Sequence, residues 1–284
     1  MKAAAFEYHA PDTVDEVVRL LSDLGDDAKV IAGGQSLVPM LAFRLAVVEH
    51  LVDLRKLTAL RGVREVGDSV WVGAGTTQAT ILRSSGLASA VPLLTRATPL
   101  IGHHAIRNRG TLGGSLAHAD AAAEYPAVAV ALGAFIETTR RVVPATDFFT
   151  GLWTTALEPD ELITGVTFPR RGPRSGFAIE EFARRAGDFA LAGAAVAIEL
   201  DEDGRIAGGG IGLFGLAPVP QRVPLAIGDD PAGLDASAIG RAAVDQLPSI
   251  RADQHGSSGY RRRVGVEMVV RAWTRALREA TAHD

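Results

Sequence analysis

The sequence predicts an α+β protein of two domains, and three observations carry the prediction. A capped amphipathic helix near the N-terminus leads directly into a short buried strand. A basic, turn-rich segment interrupts the chain near residue 170. Two long β runs joined by a four-residue turn follow that segment. With 284 residues, 47% hydrophobic and 22% charged, the chain has the length for two domains and the composition of a globular protein with a substantial core.

In the first helix Thr13 and Glu16 form a capping box. Val14, Val17, Val18, Leu21 and Leu24 share one face, and Gly25 stops the helix. Residues 29–32 read as a buried strand ending at Gly33-Gly34, and 47–54 as another. Residues 63–66 and 70–73 form a hairpin about Gly67-Asp68, carrying Trp71. A short helix over 77–85 is closed by Gly86, and a second runs over 87–97. After a glycine-rich stretch at 110–114, residues 121–132 read as a helix, 134–140 as a strand, and 161–168 as a strand ended by Pro169. Arg170-Arg171-Gly172-Pro173-Arg174-Ser175-Gly176 is poor in apolar residues and rich in turn formers, so the domains are expected at 1–173 and 174–284. The second holds β runs over 192–200 and 205–216, joined by Asp201-Glu202-Asp203-Gly204, then amphipathic helices over 235–247 and 257–281.

Composition removes several functions. A net charge of −4 with no basic face gives nucleic acid no surface to bind. The chain has no cysteine, which excludes disulfides, thiolate zinc sites and iron–sulfur clusters ligated by its own thiolates. No apolar leader and no stretch of about 18 apolar residues occurs, so a cytoplasmic protein without a transmembrane segment is expected.

Two glycine-rich stretches stand out. Ala32-Gly33-Gly34-Gln35-Ser36 follows a buried strand, and adjacent glycines permit a turn that aims successive N–H groups into one concavity. Such a nest suits a pyrophosphate, although a strand–Gly–Gly–polar sequence taken alone is more often a tight bend. Neither dinucleotide-fold nor P-loop spacing is present, and Pro39 lies too close for a long phosphate-binding helix. The second stretch, Arg107-Asn108-Arg109-Gly110-Thr111-Leu112-Gly113-Gly114-Ser115, combines three glycines and two hydroxyls with two arginines. The arginines could neutralise phosphate, bond nearby carbonyls or face a partner. His103, His104 and His118, with Asp120 and Glu124, show no recognised metal-ligand spacing, and no metal is expected there.

Together these stretches resemble the flavoprotein (medium) subunit of molybdenum hydroxylases, the carbon monoxide dehydrogenase and xanthine dehydrogenase family. The resemblance runs through residues 29–57, Gly73-Ala74-Gly75-Thr76-Thr77, residues 101–133, Arg184 to Ala190, and Tyr260-Arg261-Arg262-Arg263. It implies a two-lobed FAD-binding domain of the vanillyl-alcohol-oxidase (PCMH) type, with lobes of about 1–56 and 57–173. A carbon monoxide dehydrogenase flavoprotein-type C-terminal domain would follow.

In the implied site, Ala32, Gly33, Gly34, Gln35 and Ser36 lie along the FAD pyrophosphate, as do Thr111, Gly113, Gly114 and Ser115. Glu124 stands where the family usually has an aspartate that bonds the flavin-side portion of FAD. Ile101 packs near the ring, the Leu162 backbone contacts the ring edge, and the Asp188-Phe189-Ala190-Leu191 loop approaches the opposite side of the ring from the second domain. Where relatives often carry a lysine near the flavin pyrimidine edge, this chain has Glu180-Glu181. Either these glutamates point elsewhere, or a carboxylate at Glu181 tunes the flavin potential lower.

The resemblance further implies a large molybdenum-cofactor subunit that performs the substrate chemistry and a small 2Fe-2S subunit that supplies electrons. NAD, oxygen or a quinone would be the acceptor. No residue of this chain is then a catalytic acid, base or nucleophile. The alternatives are a stand-alone flavin oxidoreductase and a flavin-less assembly subunit.

Overall fold

The computed structural model describes residues 2–282. The N-terminal portion holds β1 (Glu7–His9), α1 (Val14–Leu24), β2 (Ala28–Ile31), α2 (Leu37–Ala42) and β3 (His50–Asp53). The three strands form a parallel sheet in the order β1-β3-β2. Thr13 caps α1 by accepting the Glu16 N–H. The reciprocal bond reaches one residue further than a standard capping box, since the Glu16 carboxylate accepts from the Asp12 N–H. Val17 and Leu21 pack on Val52, Leu57, Leu60 and Leu162.

A second unit begins with β4 (Val63–Val66) and β5 (Ser69–Gly73), the expected hairpin. It continues through α3 (Gln78–Arg83), α4 (Ser85–Ala90), α5 (Pro92–Ala97), α6 (His104–Arg107), α7 (Leu112–His118) and α8 (Glu124–Leu132). It ends with β6 (Phe135–Thr138), β7 (Val142–Pro144), α9 (Ala145–Phe148), β8 (Phe149–Gly151), β9 (Thr154–Thr155) and β10 (Ile163–Pro169). Five of these strands form one sheet, β4-β5-β10-β6-β7. The helical expectations differ in two places. Gly86 lies inside α4 rather than closing α3, because Ser84 caps α4 by accepting the Leu87 N–H. The helix expected over 87–97 breaks at Val91, which precedes Pro92 and leaves the helical region (φ −137°, ψ 65°).

The final unit is an antiparallel sheet of β11 (Ser175–Phe182), β12 (Ala192–Leu200), β13 (Ile206–Phe214) and β14 (Gln221–Pro224). It is covered by α11 (Ser258–Thr281), on which α10 (Ala236–Asp245) packs in turn. β12, β13 and both helices match the expected ranges closely, whereas β11 and β14 are strands the sequence reading did not identify.

One core joins the second unit to the inner face of the final sheet, and a separate core lies between that sheet and the closing helices. α8 is buried from Tyr125 to Leu132, with the five-stranded sheet on one side and β12–β13 on the other. The glycines of β13 permit this approach: a Cβ at Gly212 would enter the Ala127 carbonyl, and one at Gly210 would lie 2.9 Å from the Ala131 carbonyl oxygen. Val72, Leu112, Val128, Phe168, Phe177, Ala195 and Phe214 thus belong to one hydrophobic cluster.

Candidate functional site

The chain leaves β2 at Ile31 and turns sharply through 32–36 before α2 begins. Gly34 has φ 74°, a backbone conformation that a β-carbon opposes. The Gln35 side chain folds back and donates to the Gly33 carbonyl at 3.1 Å, which fixes the turn. Among the described residues, the N–H groups of Gly33, Gly34, Gln35 and Ser36 donate to no atom of the chain. Four consecutive free donors at a turn form a nest for an anion. The helix beyond is only six residues long and carries Pro39, as the position of that proline predicts.

The second stretch has a different form from the one expected. It is not an open loop: Thr111 is the N-cap of α7, and Gly113 and Gly114 lie in the first helical turn. The N–H groups here are already committed. Leu112 donates to Thr76, Gly113 to the Ala74 carbonyl at 2.8 Å, Gly114 to the Thr111 hydroxyl oxygen at 3.1 Å, and Ser115 to the Thr111 carbonyl. What remains for an anion is the Thr111 hydroxyl proton and the Ser115 hydroxyl. The need for glycine is steric and not a matter of positive φ. A Cβ at Gly113 would sit 2.6 Å from the Ala74 Cβ, and one at Gly114 would meet the Thr111 hydroxyl and, at 3.3 Å, the Ala32 Cβ.

The two stretches, far apart in sequence, pack directly on one another. A Cβ at Gly33 would enter the backbone carbonyl of Arg109. The arginines divide in role. Arg107 donates to the carbonyls of Ile101 and Gly102, both at 2.8 Å, and so holds the turn that carries Ile101. Arg109 is exposed and contributes its backbone. The second half of the chain approaches at the same turn: Gly187, at φ 82°, lies against His103 and the Gly102 carbonyl. His103 was singled out in the sequence only as a metal candidate, yet it makes this contact.

Glu124 opens α8 and Glu181 lies on β11, and the two are close enough to interact. Burial pushes the Glu124 carboxyl up to about 8, with the neighbouring Glu181 and Asp120 charges adding to the shift. Burial alone pushes Glu181 up to about 7. Glu181 Oε2 is buried with no hydrogen-bond partner. Adjacent residues on a strand face opposite ways, and Glu180 accordingly forms an ion pair with Arg275 of α11. Glu180 thus points toward α11, while Glu181 lies close enough to Glu124 for their charges to interact. Leu162 is buried against α1, its N–H donating to Thr139 Oγ1 at 3.2 Å and its carbonyl accepting from the Thr139 N–H at 2.9 Å. A cofactor contact there has only the second lone pair of the carbonyl to use.

The raised carboxyls give a pH dependence with a definite sign. In the unfolded chain these groups titrate near 4.5, and in the folded one near 7 and 8. Between those limits the folded state holds more protons, so stability falls as pH rises and levels off above about 8. Urea denaturation of the FAD-free chain at pH 5 and pH 9 should show this fall. Glu124→Gln should recover about 1–3 kcal/mol at pH 9 by removing the charge that has to be buried. A stability unaffected by pH in this range would contradict a buried Glu124–Glu181 pair.

Two family models match the chain. Residues 4–171 match the family described as the FAD binding domain in molybdopterin dehydrogenase, and residues 177–276 match the CO dehydrogenase flavoprotein C-terminal domain. The chain is 39% identical to the 6-hydroxypseudooxynicotine dehydrogenase complex subunit alpha of Paenarthrobacter nicotinovorans, over 99% of this chain and 97% of that one. It is 36% identical to the carbon monoxide dehydrogenase medium chain of Afipia carboxidovorans, over 99% of both. Among solved structures, a carbon monoxide dehydrogenase chain from Hydrogenophaga pseudoflava superposes with a TM-score of 0.92 at 36% identity, covering 98% of this chain and 99% of that one.

Proposed function

Because the chain belongs to the FAD-carrying medium subunits of the molybdenum hydroxylases, we propose that it relays electrons from iron–sulfur clusters on a small partner subunit to an external acceptor. A large subunit with a molybdenum cofactor performs the substrate chemistry. The observation that carries this reading is the row of free N–H groups at 33–36, with Gly33 packed against the backbone of Arg109. That row fits a pyrophosphate, and the absence of any cysteine requires the clusters to lie on another chain.

Bound FAD supplies a carrier that accepts and releases electrons. The residues of the chain place it. Ala32 to Ser36 cradle the pyrophosphate through backbone N–H groups, and Thr111 and Ser115 add hydroxyl donors. Gly113 and Gly114 allow α7 to sit close enough for this. Ile101, held by Arg107, lies beside the ring, and Leu162 offers its carbonyl at the ring edge. Glu124 and Glu181 meet the flavin side of the cofactor, one of them protonated at neutral pH and able to donate. The domains divide at 173/174, with the first split into lobes of about 1–56 and 57–173. Among the described residues no helix is long and apolar enough to cross a membrane.

Purified alone, the chain should bind one FAD and turn over no organic substrate. Purified with its partners, it should arrive with molybdenum and iron. Substrate turnover by the isolated chain would favour a stand-alone flavin enzyme, and a colourless chain that takes up no FAD would favour an assembly subunit.

A further inference from the structure

The three histidines near residues 101–118 do not converge as ligands. Among the described residues, a different group does: Glu7 and His9 on β1 with His50 on β3. Glu7 and His50 are directly opposite in the parallel ladder, and residues 7 and 9 share one face of their strand. One ligand atom from each of the three lies within 4.8 Å of the other two.

The contacts within the group are over-committed at one atom. His9 Nε2 is 3.2 Å from His50 Nδ1, and the Glu7 Oε2 is 3.5 Å from that same nitrogen. If Nδ1 carries a proton, a single N–H is divided between an imidazole and a carboxylate. If it carries none, its lone pair faces the Glu7 carboxylate while accepting from His9. Neither tautomer gives each group its own partner. A divalent cation does. Ligands at about 2.0–2.1 Å in a near-tetrahedral arrangement stand roughly 3.3 Å apart, and the two measured separations bracket that value.

We propose that Glu7, His9 and His50 form a site for a borderline divalent transition-metal cation, held by two imidazole nitrogens and one carboxylate oxygen. Two nitrogens and one oxygen suit zinc, nickel or copper better than magnesium or calcium. The site belongs to a part of the fold separate from the flavin cradle. His50 pairs with Ala28 at the start of β2, whereas the Gly33 turn follows the end of that strand, roughly 15 Å further along. Its effect is to clamp β1, a strand of only three residues, onto β3. With Glu7 74% exposed at its side chain, the remaining coordination position opens to water.

The test uses the tag-free, FAD-loaded chain, stripped with a chelator and titrated with zinc chloride by calorimetry. One equivalent of zinc per chain is expected, together with a higher melting temperature in zinc that the stripped protein lacks. His9→Gln and His50→Gln should each weaken zinc binding by at least tenfold, and Glu7→Gln by about tenfold, with flavin content unchanged. Cobalt(II) should give a visible ligand-field band in the wild type that His9→Gln loses. Zinc uptake that is absent in the wild type, or undiminished in both His9→Gln and Glu7→Gln, would overturn the site. Glu7 is exposed, so its variant reports even if a histidine variant fails to fold. Loss of flavin binding elsewhere would bear on the cradle and leave this result standing.

Discussion

Gly33→Val is expected to cut FAD affinity by about 100-fold or more, close to 3 kcal/mol at 1.4 kcal/mol per decade. The effect comes from a single point of contact. The Cβ would occupy the position of the Arg109 carbonyl, so the 32–36 turn has to lift away from the stretch that carries Thr111 and Ser115. The single anion proposed to bridge the free N–H groups and those hydroxyls could then no longer reach both. The flavin absorbance of the purified variant, relative to its protein absorbance, measures the loss. Circular dichroism checks that α1 and the parallel sheet persist. Full flavin content in a folded variant would show that the two stretches do not share a ligand.

Arg261→Ala should lower the stability of the FAD-loaded chain by about 2–3 kcal/mol, because it removes a buried guanidinium that donates to two backbone carbonyls and to a partly exposed carboxylate. Arg261 is only 3% exposed although it lies on the closing helix α11. One guanidinium nitrogen donates to the carbonyls of Leu191, at 2.6 Å, and Gly215, at 2.9 Å, while another pairs with Asp253 at 2.6 Å. Alanine leaves the two carbonyls without this donor, while the part-exposed Asp253 carboxylate keeps the His255 N–H. Leu191 ends the segment that carries Gly187 to His103, so the damage reaches the site as well. The Arg261 hydrogen bond holds the Asp253 carboxyl down to about 2. The pairing therefore contributes fully above the unfolded value of 3.8 and is lost as pH falls toward 2. Arg261→Lys keeps the charge without the planar fork, and it should recover only part of the stability. Equal urea midpoints for wild type and alanine variant would refute this role.

The elements legible in the sequence were those whose signals are local. α1 has its cap, its apolar face and its terminating glycine within thirteen consecutive residues. The β12–β13 hairpin has two long apolar runs around an acidic turn. β11 is not legible because it starts inside the turn-forming segment and closes with Glu180-Glu181-Phe182, where no sequence pattern reveals the opposite orientations of the two glutamates. Nor is α7, because two glycines argue against a helix. They are tolerated there since Gly113 is pressed on Ala74, a contact that exists only in the folded chain.

The site divides in the same way. The glycines at 33–34 and 113–114 were recognisable as a pair, but the reason for the second pair was not. Whether Glu180 or Glu181 turns inward depends on strand register. The Glu7, His9 and His50 group spans 41 residues between its histidines, and parallel strand pairing alone brings them together.

The burial of α8 between two sheets has a consequence for how the protein is made. During synthesis the helix emerges well before β12 and β13, so its outer face must wait for the last hundred residues to cover it. Conversely, residues 174–284 expressed by themselves would expose the small-residue face of β13 where Ala127 and Ala131 belong. Neither half can finish its interior alone. The positions of Glu124 and Glu181 relative to each other are consequently set in one event, the closing of the second sheet over the helix.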